Sequence, residues 1–226
     1  MTPVQVKICG ITDPESLATA AEAGADWVGF VFFPPSPRAL QPARAAALSA
    51  GLVGGPGRVG LFVDPTDAEV AVVLDALPLD ALQVYATAER VAALRARFDR
   101  PVWRAIGVAT ASDLPAEAAD RLVLEARPPA TATRPGGNAI GFDWSVLRGW
   151  RAPVPWLLAG GLTPLTVAAA IRATGAPGVD VSSGVERAPG VKDPALIRAF
   201  VAAAHAACVS VAAPPSAVGA PASPAR

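Results

Sequence analysis

The chain has 226 residues, of which 52% are hydrophobic, and its 19 basic and 19 acidic side chains cancel to a net charge of zero. Because this balance gives no electrostatic footprint for nucleic acid or an anionic membrane surface, a small and locally recognised ligand fits better. The sequence has no run of about 18 uninterrupted apolar residues and no signal peptide pattern, so we expect a cytoplasmic protein without a membrane span.

Short runs rich in β-branched and aromatic residues alternate with alanine-rich segments, a pattern typical of βα units and a parallel sheet. A doubly wound sheet would show the same runs, so the number of strands favours a single-domain α/β fold, the (β/α)8 barrel. The predicted strands span residues 5–9, 27–32, 59–63, 81–84, 102–106, 122–125, 156–159 and 178–181. The predicted helices span residues 42–50, 67–77, 88–98, 165–174 and 194–207, with a first helix after residue 12 and short ones after the fifth and sixth strands.

Two helix starts carry a recognisable capping pattern. Thr12 with Glu15, and Thr66 with Glu69, have the spacing of a capping box, in which each side chain satisfies a backbone amide of the first turn. We expect the barrel domain to cover residues 1–208. Alanine, proline, glycine and serine dominate residues 209–226, which we expect to be a disordered tail.

The first strand ends at Cys9, at the edge where (β/α)8 barrels carry their chemistry. The second cysteine, Cys208, lies at the other end of the chain, and this spacing indicates neither a disulfide nor a metal site. Lys7 lies two residues before Cys9 and therefore on the same face of the strand, where its charge would lower the thiol pKa from about 8.5 toward neutrality. A space-filling role for the cysteine, or an interior ion pair of Lys7 with Asp180, is the alternative.

Small-residue turns follow the last two predicted strands. Gly160 and Gly161 end the seventh strand, and Ser182, Ser183 and Gly184 follow the eighth. Ordinary tight turns would look similar, but the loops after strands seven and eight commonly hold a phosphate in (β/α)8 barrels. The two turns in this order therefore predict a phosphate site.

Two further loops place charged side chains at the predicted barrel mouth. A proline-rich loop after the second strand holds Arg38, whose guanidinium suits bidentate capture of a carboxylate. The sixth strand ends at Glu125, and the loop that follows, residues 126–141, has the length of a lid. Glu125 would then face Cys9 across the mouth as a proton donor facing a base.

These residues together resemble the phosphoribosylanthranilate isomerase family of tryptophan biosynthesis. The resemblance runs from end to end apart from the tail, and its segments are VKICGIT (6–12), GFVFFPPSPR (29–38), VGLFVDP (59–65), PGGNAIGFDW (135–144), LAGGLTP (158–164) and VDVSSGVERAPGVKD (179–193). It implies a (β/α)8 barrel that converts N-(5-phosphoribosyl)anthranilate to the corresponding 1-deoxyribulose phosphate by an Amadori rearrangement, without a metal or an organic cofactor.

The resemblance also implies roles for individual residues. Cys9 would be the base that removes the C2′ proton, and the acid that opens the furanose ring would stand at position 125. Arg38 would hold the anthranilate carboxylate. The remaining expected contacts are Lys7, Gln83 and Asp180 for the substrate, and Gly160, Gly161, Ser182, Ser183 and Gly184 for its phosphate. The expected partner is this phosphosugar alone, bound by a monomer or a homodimer.

The sequence departs from the family pattern at two positions. Glu125 stands where the family has an aspartate, and one extra methylene moves the carboxyl by roughly an ångström, which can cost on the order of a hundredfold in rate. Tyr85 stands where the family has a histidine, and a phenol does not titrate near neutral pH. The sequence therefore preserves the residues expected to bind the substrate better than those expected to transfer protons.

Three hypotheses about function follow from these residues. The leading one is an active isomerase acting on phosphoribosylanthranilate. The alternative is a phosphosugar-binding paralogue with weakened catalysis, which predicts that Glu125→Asp raises the rate. The third is an isomerase for the related aminoimidazole carboxamide ribotide of histidine synthesis, although barrels for that substrate have an aspartate in place of Cys9.

Overall fold

Eight parallel strands close into a barrel in the computed structural model, which describes residues 3–116 and 119–207. Each strand pairs with the next along the chain, and β1 pairs with β8 to complete the ring. The (β/α)8 prediction is therefore confirmed, with strand ends within one or two residues of the expected positions. The strands are β1 (Gln5–Cys9), β2 (Trp27–Val31), β3 (Gly57–Val63), β4 (Ala81–Tyr85), β5 (Val102–Val108), β6 (Arg121–Ala126), β7 (Trp156–Leu158) and β8 (Gly178–Val181).

Helices cover the outside of the barrel. They are α1 (Pro14–Glu22), α2 (Pro42–Ala50), α3 (Asp67–Ala76), α4 (Ala88–Arg97), α5 (Val167–Thr174) and α6 (Pro194–Ala206). The connections after β5 and β6 contain only short 3₁₀ turns, Ala111–Asp113 and Trp144–Leu147, as the sequence predicted. A small antiparallel hairpin of β9 (Glu186–Ala188) and β10 (Val191–Lys192) was not predicted.

The two predicted capping boxes have different outcomes. At the start of α3, Thr66 accepts a hydrogen bond from the amide of Glu69, whose carboxylate accepts one from the amide of Thr66. At α1 the prediction was wrong by one residue, because Asp13 is the cap and accepts from the amide of Ser16 at 2.8 Å. The hydroxyl of Thr12 instead donates to the backbone carbonyl of Gly190. The Thr12 hydroxyl therefore ties the start of α1 to the turn between β9 and β10.

Successive side chains of each strand point alternately toward the surrounding helices, where they form the outer core, and into the barrel interior. On β4, Leu82 and Val84 pack toward the helices, whereas Gln83 and Tyr85 point inward. The amino-terminal end of the interior is closed by the guanidinium of Arg121, which lies over two tryptophan rings and donates to a glutamine at 2.6 Å. The two rings are those of Trp27 and Trp103, and the acceptor is the side-chain oxygen of Gln5. The interior therefore opens only toward the carboxyl ends of the strands, where inward side chains can meet a ligand.

Within the described residues no helix has the length and apolar character needed to cross a membrane. The predicted disordered tail, residues 209–226, and Cys208 lie outside the described part of the chain. The predicted domain boundary at residue 208 stays a prediction for the same reason.

Candidate active site

A pocket opens at the carboxyl ends of the strands and encloses about 790 Å³, counting the solvent at its mouth. Its wall is formed by strand ends, by the loop that carries Arg38, and by residues 134–140 of the long loop after β6. This loop lies over the mouth, in the place where the sequence predicted a lid. Most of the predicted site residues line the pocket: Cys9, Arg38, Glu125, Gly160, Gly161, Asp180, Ser182, Ser183 and Gly184.

The sulfur of Cys9 lies directly above a buried ion pair. Lys7 Nζ donates to Asp180 Oδ1 at 2.9 Å, and the lysine has no exposed surface. Gly29 on the neighbouring strand leaves the room for this arrangement, since a Cβ there would stand 2.9 Å from Cys9 Sγ and 3.2 Å from Lys7 Nζ. A thiol, an ammonium and a carboxylate are thus brought together, with Cys9 and Asp180 on the pocket wall and Lys7 buried below it.

The protonation of Cys9 differs from the sequence-based expectation. Burial raises the pKa of the Cys9 thiol, and although the Lys7 ammonium acts in the opposite direction, it does not overcome desolvation. Burial by itself would lower the pKa of Lys7, but Asp180 and Cys9 raise it to about 12. The expectation of a thiol pKa near neutrality was therefore wrong, because burial of the thiol outweighs the Lys7 charge and the Asp180 carboxylate acts in the same direction as burial. The resting group is a protonated thiol.

The carboxyl of Glu125 faces the same pocket from β6 and is 5% exposed. The hydroxyl of Tyr85 donates a hydrogen bond to Glu125 Oε1. Burial raises the pKa of Glu125 to about 7, while the hydrogen bond from Tyr85 partly opposes this rise. Burial also raises the pKa of Tyr85 well above its ordinary value, so the phenol remains a donor at neutral pH. Glu125 is therefore a carboxylic acid that holds a transferable proton near neutrality.

Arg38 is held in place from outside the pocket by a carboxylate. Glu186 on β9 accepts from Arg38 Nε at 2.7 Å and from Nη2 at 2.8 Å. Lys192 Nζ donates at 2.8 Å to Glu186 Oε1, the same oxygen that accepts from Arg38 Nε. The attraction of Arg38 and Lys192 lowers the pKa of Glu186 even though its burial acts to raise it. Two cations share one anion, so the cluster keeps a net positive charge beside the pocket.

The two small-residue turns present backbone amides to the same pocket. Gly160 and Gly161 have φ angles of +85° and +65°, a backbone that side-chain-bearing residues rarely adopt. Within the described part of the chain, the amides of Gly161, Ser183 and Gly184 donate to no acceptor. Free amides converging on one space are a suitable setting for an anion.

Comparison with known proteins matches this arrangement to one family. The model of the family described as N-(5′-phosphoribosyl)anthranilate (PRA) isomerase matches residues 6–203. The N-(5′-phosphoribosyl)anthranilate isomerase of Acidiphilium cryptum is 58% identical over 205 residues, which are 90% of this chain and 99% of the relative. The chain belongs to the phosphoribosylanthranilate isomerase family.

Solved structures of the family agree with the fold. The phosphoribosylanthranilate isomerase of Thermotoga maritima superposes with a TM-score of 0.78 at 34% identity, over 89% of this chain and 98% of that one. A second phosphoribosylanthranilate isomerase structure, in complex with reduced 1-(o-carboxyphenylamino)-1-deoxyribulose 5-phosphate, has a TM-score of 0.75 at 34% identity over the same shares. The predicted family, the barrel, and the isomerase activity in tryptophan biosynthesis are confirmed.

Two residues predicted to contact the substrate lie below the pocket instead of on its wall. Lys7 is engaged by Asp180, as the ion-pair alternative proposed. Gln83 is 1% exposed, and neither end of its amide has a hydrogen-bond partner among the described residues. Their direct contact with substrate stays a prediction. Both residues lie at inward-facing positions of their strands. The resemblance to the phosphoribosylanthranilate isomerase family had suggested both of them as substrate contacts.

Two charged residues beside the pocket, which contact each other and of which one contacts Arg38, were missed by sequence reasoning. Glu186 and Lys192 belong to the segment that carries the phosphate turn, but only its serines and glycine were assigned a role. One signal was available, because Lys192 is one of only two lysines in the chain. Its ammonium donates to the backbone carbonyl of Ser182 at 2.9 Å, and this hydrogen bond stabilises the predicted phosphate turn.

Proposed function

We propose that Cys9 is the general base and Glu125 the general acid of the rearrangement of N-(5′-phosphoribosyl)anthranilate. The observation that supports this assignment most strongly is that the Cys9 sulfur and the Glu125 carboxyl line one pocket, from β1 and β6. Burial raises the pKa of the Glu125 carboxyl to about 7, which suits a general acid that works near neutral pH.

The first step requires a proton on the furanose ring oxygen. The carboxyl of Glu125 donates it, the bond between C1′ and the ring oxygen breaks, and the anthranilate nitrogen supplies its electron pair to C1′. The products of this step are a protonated Schiff base, a free C4′ hydroxyl and the Glu125 carboxylate. Tyr85 stabilises that carboxylate through its hydrogen bond.

The second step removes the proton from C2′. The Cys9 thiolate accepts it, and the electrons of the C–H bond move toward the iminium to give an enolamine, which tautomerises to the ketone. The thiolate form of Cys9 is favoured by the Lys7 ammonium, although burial opposes it. General base catalysis of this kind contributes about 10²–10⁴-fold.

Binding is assigned to the two ends of the substrate. The positive cluster around Arg38 suits the anthranilate carboxylate, since Glu186 occupies Nε and Nη2 and leaves Nη1 toward the pocket-lining residue Gly137. The free amides of Gly160, Gly161, Ser183 and Gly184, with the hydroxyls of Ser182 and Ser183, suit the phosphate. The relative in complex with a carboxyphenylamino sugar phosphate supports a ligand of this chemistry.

Two substitutions test the assignment. Cys9→Ala and Glu125→Gln each lower kcat by at least about a hundredfold, whereas both variants still bind the reduced product analogue, measured by calorimetry. Complementation of a strain that lacks this isomerase gives a second readout. Growth or turnover that survives either change removes the corresponding residue from the mechanism.

We further propose that the protein acts in the cytoplasm as a monomer or a homodimer, with no nucleic acid partner. A buried free thiol at Cys9 in the working pocket supports a reducing compartment. Cell fractionation checks the location, and sedimentation analysis of the purified chain measures the oligomeric state. A periplasmic location, or an assembly larger than a dimer, contradicts this proposal.

A further inference from the structure

The two positions at which the sequence departs from the family pattern are in direct contact. Tyr85 ends β4 and Glu125 lies near the end of β6, 40 residues later, with β5 between them. At this level β5 contributes only Ala105 and Gly107 to the inward face, as the pairing of Gly107 with Glu125 shows. Because these residues are small, the Tyr85 ring reaches across β5 and its hydroxyl donates to Glu125 Oε1.

The lid loop is shaped around this pair. Gly136 lies against it so closely that a Cβ at this position would stand 2.5 Å from Glu125 Oε1 and 2.7 Å from Oε2, and closer still to the Tyr85 hydroxyl. Any side chain at position 136 would therefore displace the carboxyl, the phenol or the loop. The pair and the loop are fitted to each other, which indicates that the carboxyl occupies one defined position.

We propose that Tyr85 is a positioning residue for the acid: its hydroxyl fixes the carboxyl of the longer Glu125 side chain at the point from which the proton is delivered. This inference rests on the proposed role of Glu125 and deepens it. A glutamate has one more rotatable bond than an aspartate, so it needs a partner to select one carboxyl position. Tyr85 is the side-chain hydrogen-bond partner that the carboxyl has among the described residues, and the backbone amide of Gly137 is a second donor to it.

Several groups around Glu125 raise or lower the pKa of its carboxyl. Asp180 on β8 raises its pKa, whereas Lys7 on β1, the backbone amide of Gly137 and the Tyr85 hydroxyl lower it. Cys9 faces the phenol from β1. Removal of the hydroxyl leaves the other groups in place and takes away a donor to the carboxylate, so the pKa of Glu125 moves upward from about 7.

The decisive variant is Tyr85→Phe, which keeps the ring and deletes the donor. We expect kcat to fall about tenfold with little change in KM, because the lost hydrogen bond misplaces the acid but leaves the binding groups intact. Carbon-13 NMR of labelled glutamate in the unliganded protein should show the Glu125 carboxyl titrating at a higher pH than in the unsubstituted protein. Circular dichroism and binding of the reduced product analogue verify that the variant is folded.

A double-mutant cycle separates positioning from general damage. Glu125→Asp shortens the side chain and breaks the same hydrogen bond, so it lowers kcat, and Tyr85→Phe then has little further effect in the Glu125→Asp background. Independent, multiplying losses would overturn the proposal, as would an unchanged Glu125 titration in Tyr85→Phe. A rate increase in Glu125→Asp would do the same and would favour the weakened-paralogue hypothesis.

The failure of this inference is distinguishable from failure of the proposed function. If Glu125→Gln remains active, the acid role itself is wrong. If Glu125→Gln is inactive while Tyr85→Phe matches the unsubstituted protein in kcat and in the Glu125 titration, only the positioning role is wrong.

Discussion

Glu186 holds one edge of the Arg38 guanidinium with two hydrogen bonds, from Nε at 2.7 Å and from Nη2 at 2.8 Å. Both side chains are 4% exposed, so the pair is shielded from solvent. A planar guanidinium gripped along one edge cannot rotate, and its remaining donors keep one direction. The contact joins the loop after β2 to the hairpin after β8, which makes the hairpin part of the binding site.

The first prediction concerns the two hydrogen bonds from Arg38 to Glu186. Glu186→Gln keeps the size of the side chain but removes the charge that attracts Arg38 and Lys192, so the guanidinium loses its fixed orientation. We expect KM to rise about tenfold with a much smaller change in kcat, because the proposed function assigns Arg38 to binding of the carboxylate end and not to proton transfer. Steady-state kinetics measure both constants. Glu22→Gln is the matched control, since Glu22 makes only a long, exposed ion pair with Arg198. A fall in kcat at constant KM would contradict the assignment.

The second prediction is the pH dependence of kcat/KM. In the proposed mechanism Glu125 acts in its protonated form and Cys9 acts as a thiolate. Burial raises the pKa of Glu125 to about 7 and also raises the pKa of Cys9 above its ordinary value. Below pH 7 the thiolate fraction grows as pH rises while Glu125 stays protonated, so the rate increases. Above pH 7 further gain of thiolate is cancelled by loss of the acid, so the rate becomes level and falls only beyond the Cys9 pKa.

This profile is measured with the substrate ionisation determined separately, because a phosphate monoester also titrates near pH 6. The inflection near pH 7 then belongs to Glu125 and shifts in Glu125→Asp. A rate that declines from pH 7 upward would indicate that Cys9 is already a thiolate in the neutral range.

The third prediction concerns the stability of the buried ion pair. Asp180→Asn leaves the Lys7 ammonium buried without a counter-charge, and loss of one partner of a buried pair costs about 3–5 kcal/mol of unfolding free energy. Urea denaturation followed by circular dichroism measures the change. The matched control is Asp67→Asn, whose partner Arg90 lies at the surface, where an ion pair contributes about 1 kcal/mol or less. Equal effects of the two variants would show that Lys7 does not depend on Asp180.

The fourth prediction concerns the phosphate turn. A Cβ at Gly184 would overlap the backbone carbonyl of Leu162, so Gly184→Ala must shift the turn that presents the Ser183 and Gly184 amides. We expect affinity for inorganic phosphate to fall at least about tenfold, since each lost hydrogen bond to a charged group costs about 1.5–3 kcal/mol. Calorimetry measures the binding. Gly51→Ala, at an ordinary helical end with no close neighbour, is the control. Unchanged phosphate affinity would place the anion elsewhere.

Much of the barrel follows from local patterns in the chain. The apolar runs that become β2 and β3 and the capping box at Thr66 depend on neighbouring residues alone, so the sequence predicts them. The hairpin Glu186–Lys192 is different, because its strands are only three and two residues long and have no alternation to detect. The cap at α1 was misplaced for a similar reason, since Thr12 and Asp13 are both good caps and contact with Gly190 selects between them.

Strand periodicity and motif order by themselves determined the eight strands of the barrel and the assembly of Cys9, Arg38, Glu125 and the two predicted phosphate turns at one edge. This was possible because the carboxyl ends of parallel strands must meet at the same rim. Only the folded structure decided the contacts of Tyr85 with Glu125 and of Arg38 with Glu186, which join residues 40 and 148 positions apart. It also decided the protonation of Cys9, because a pKa depends on burial and on neighbouring charges that no local pattern specifies.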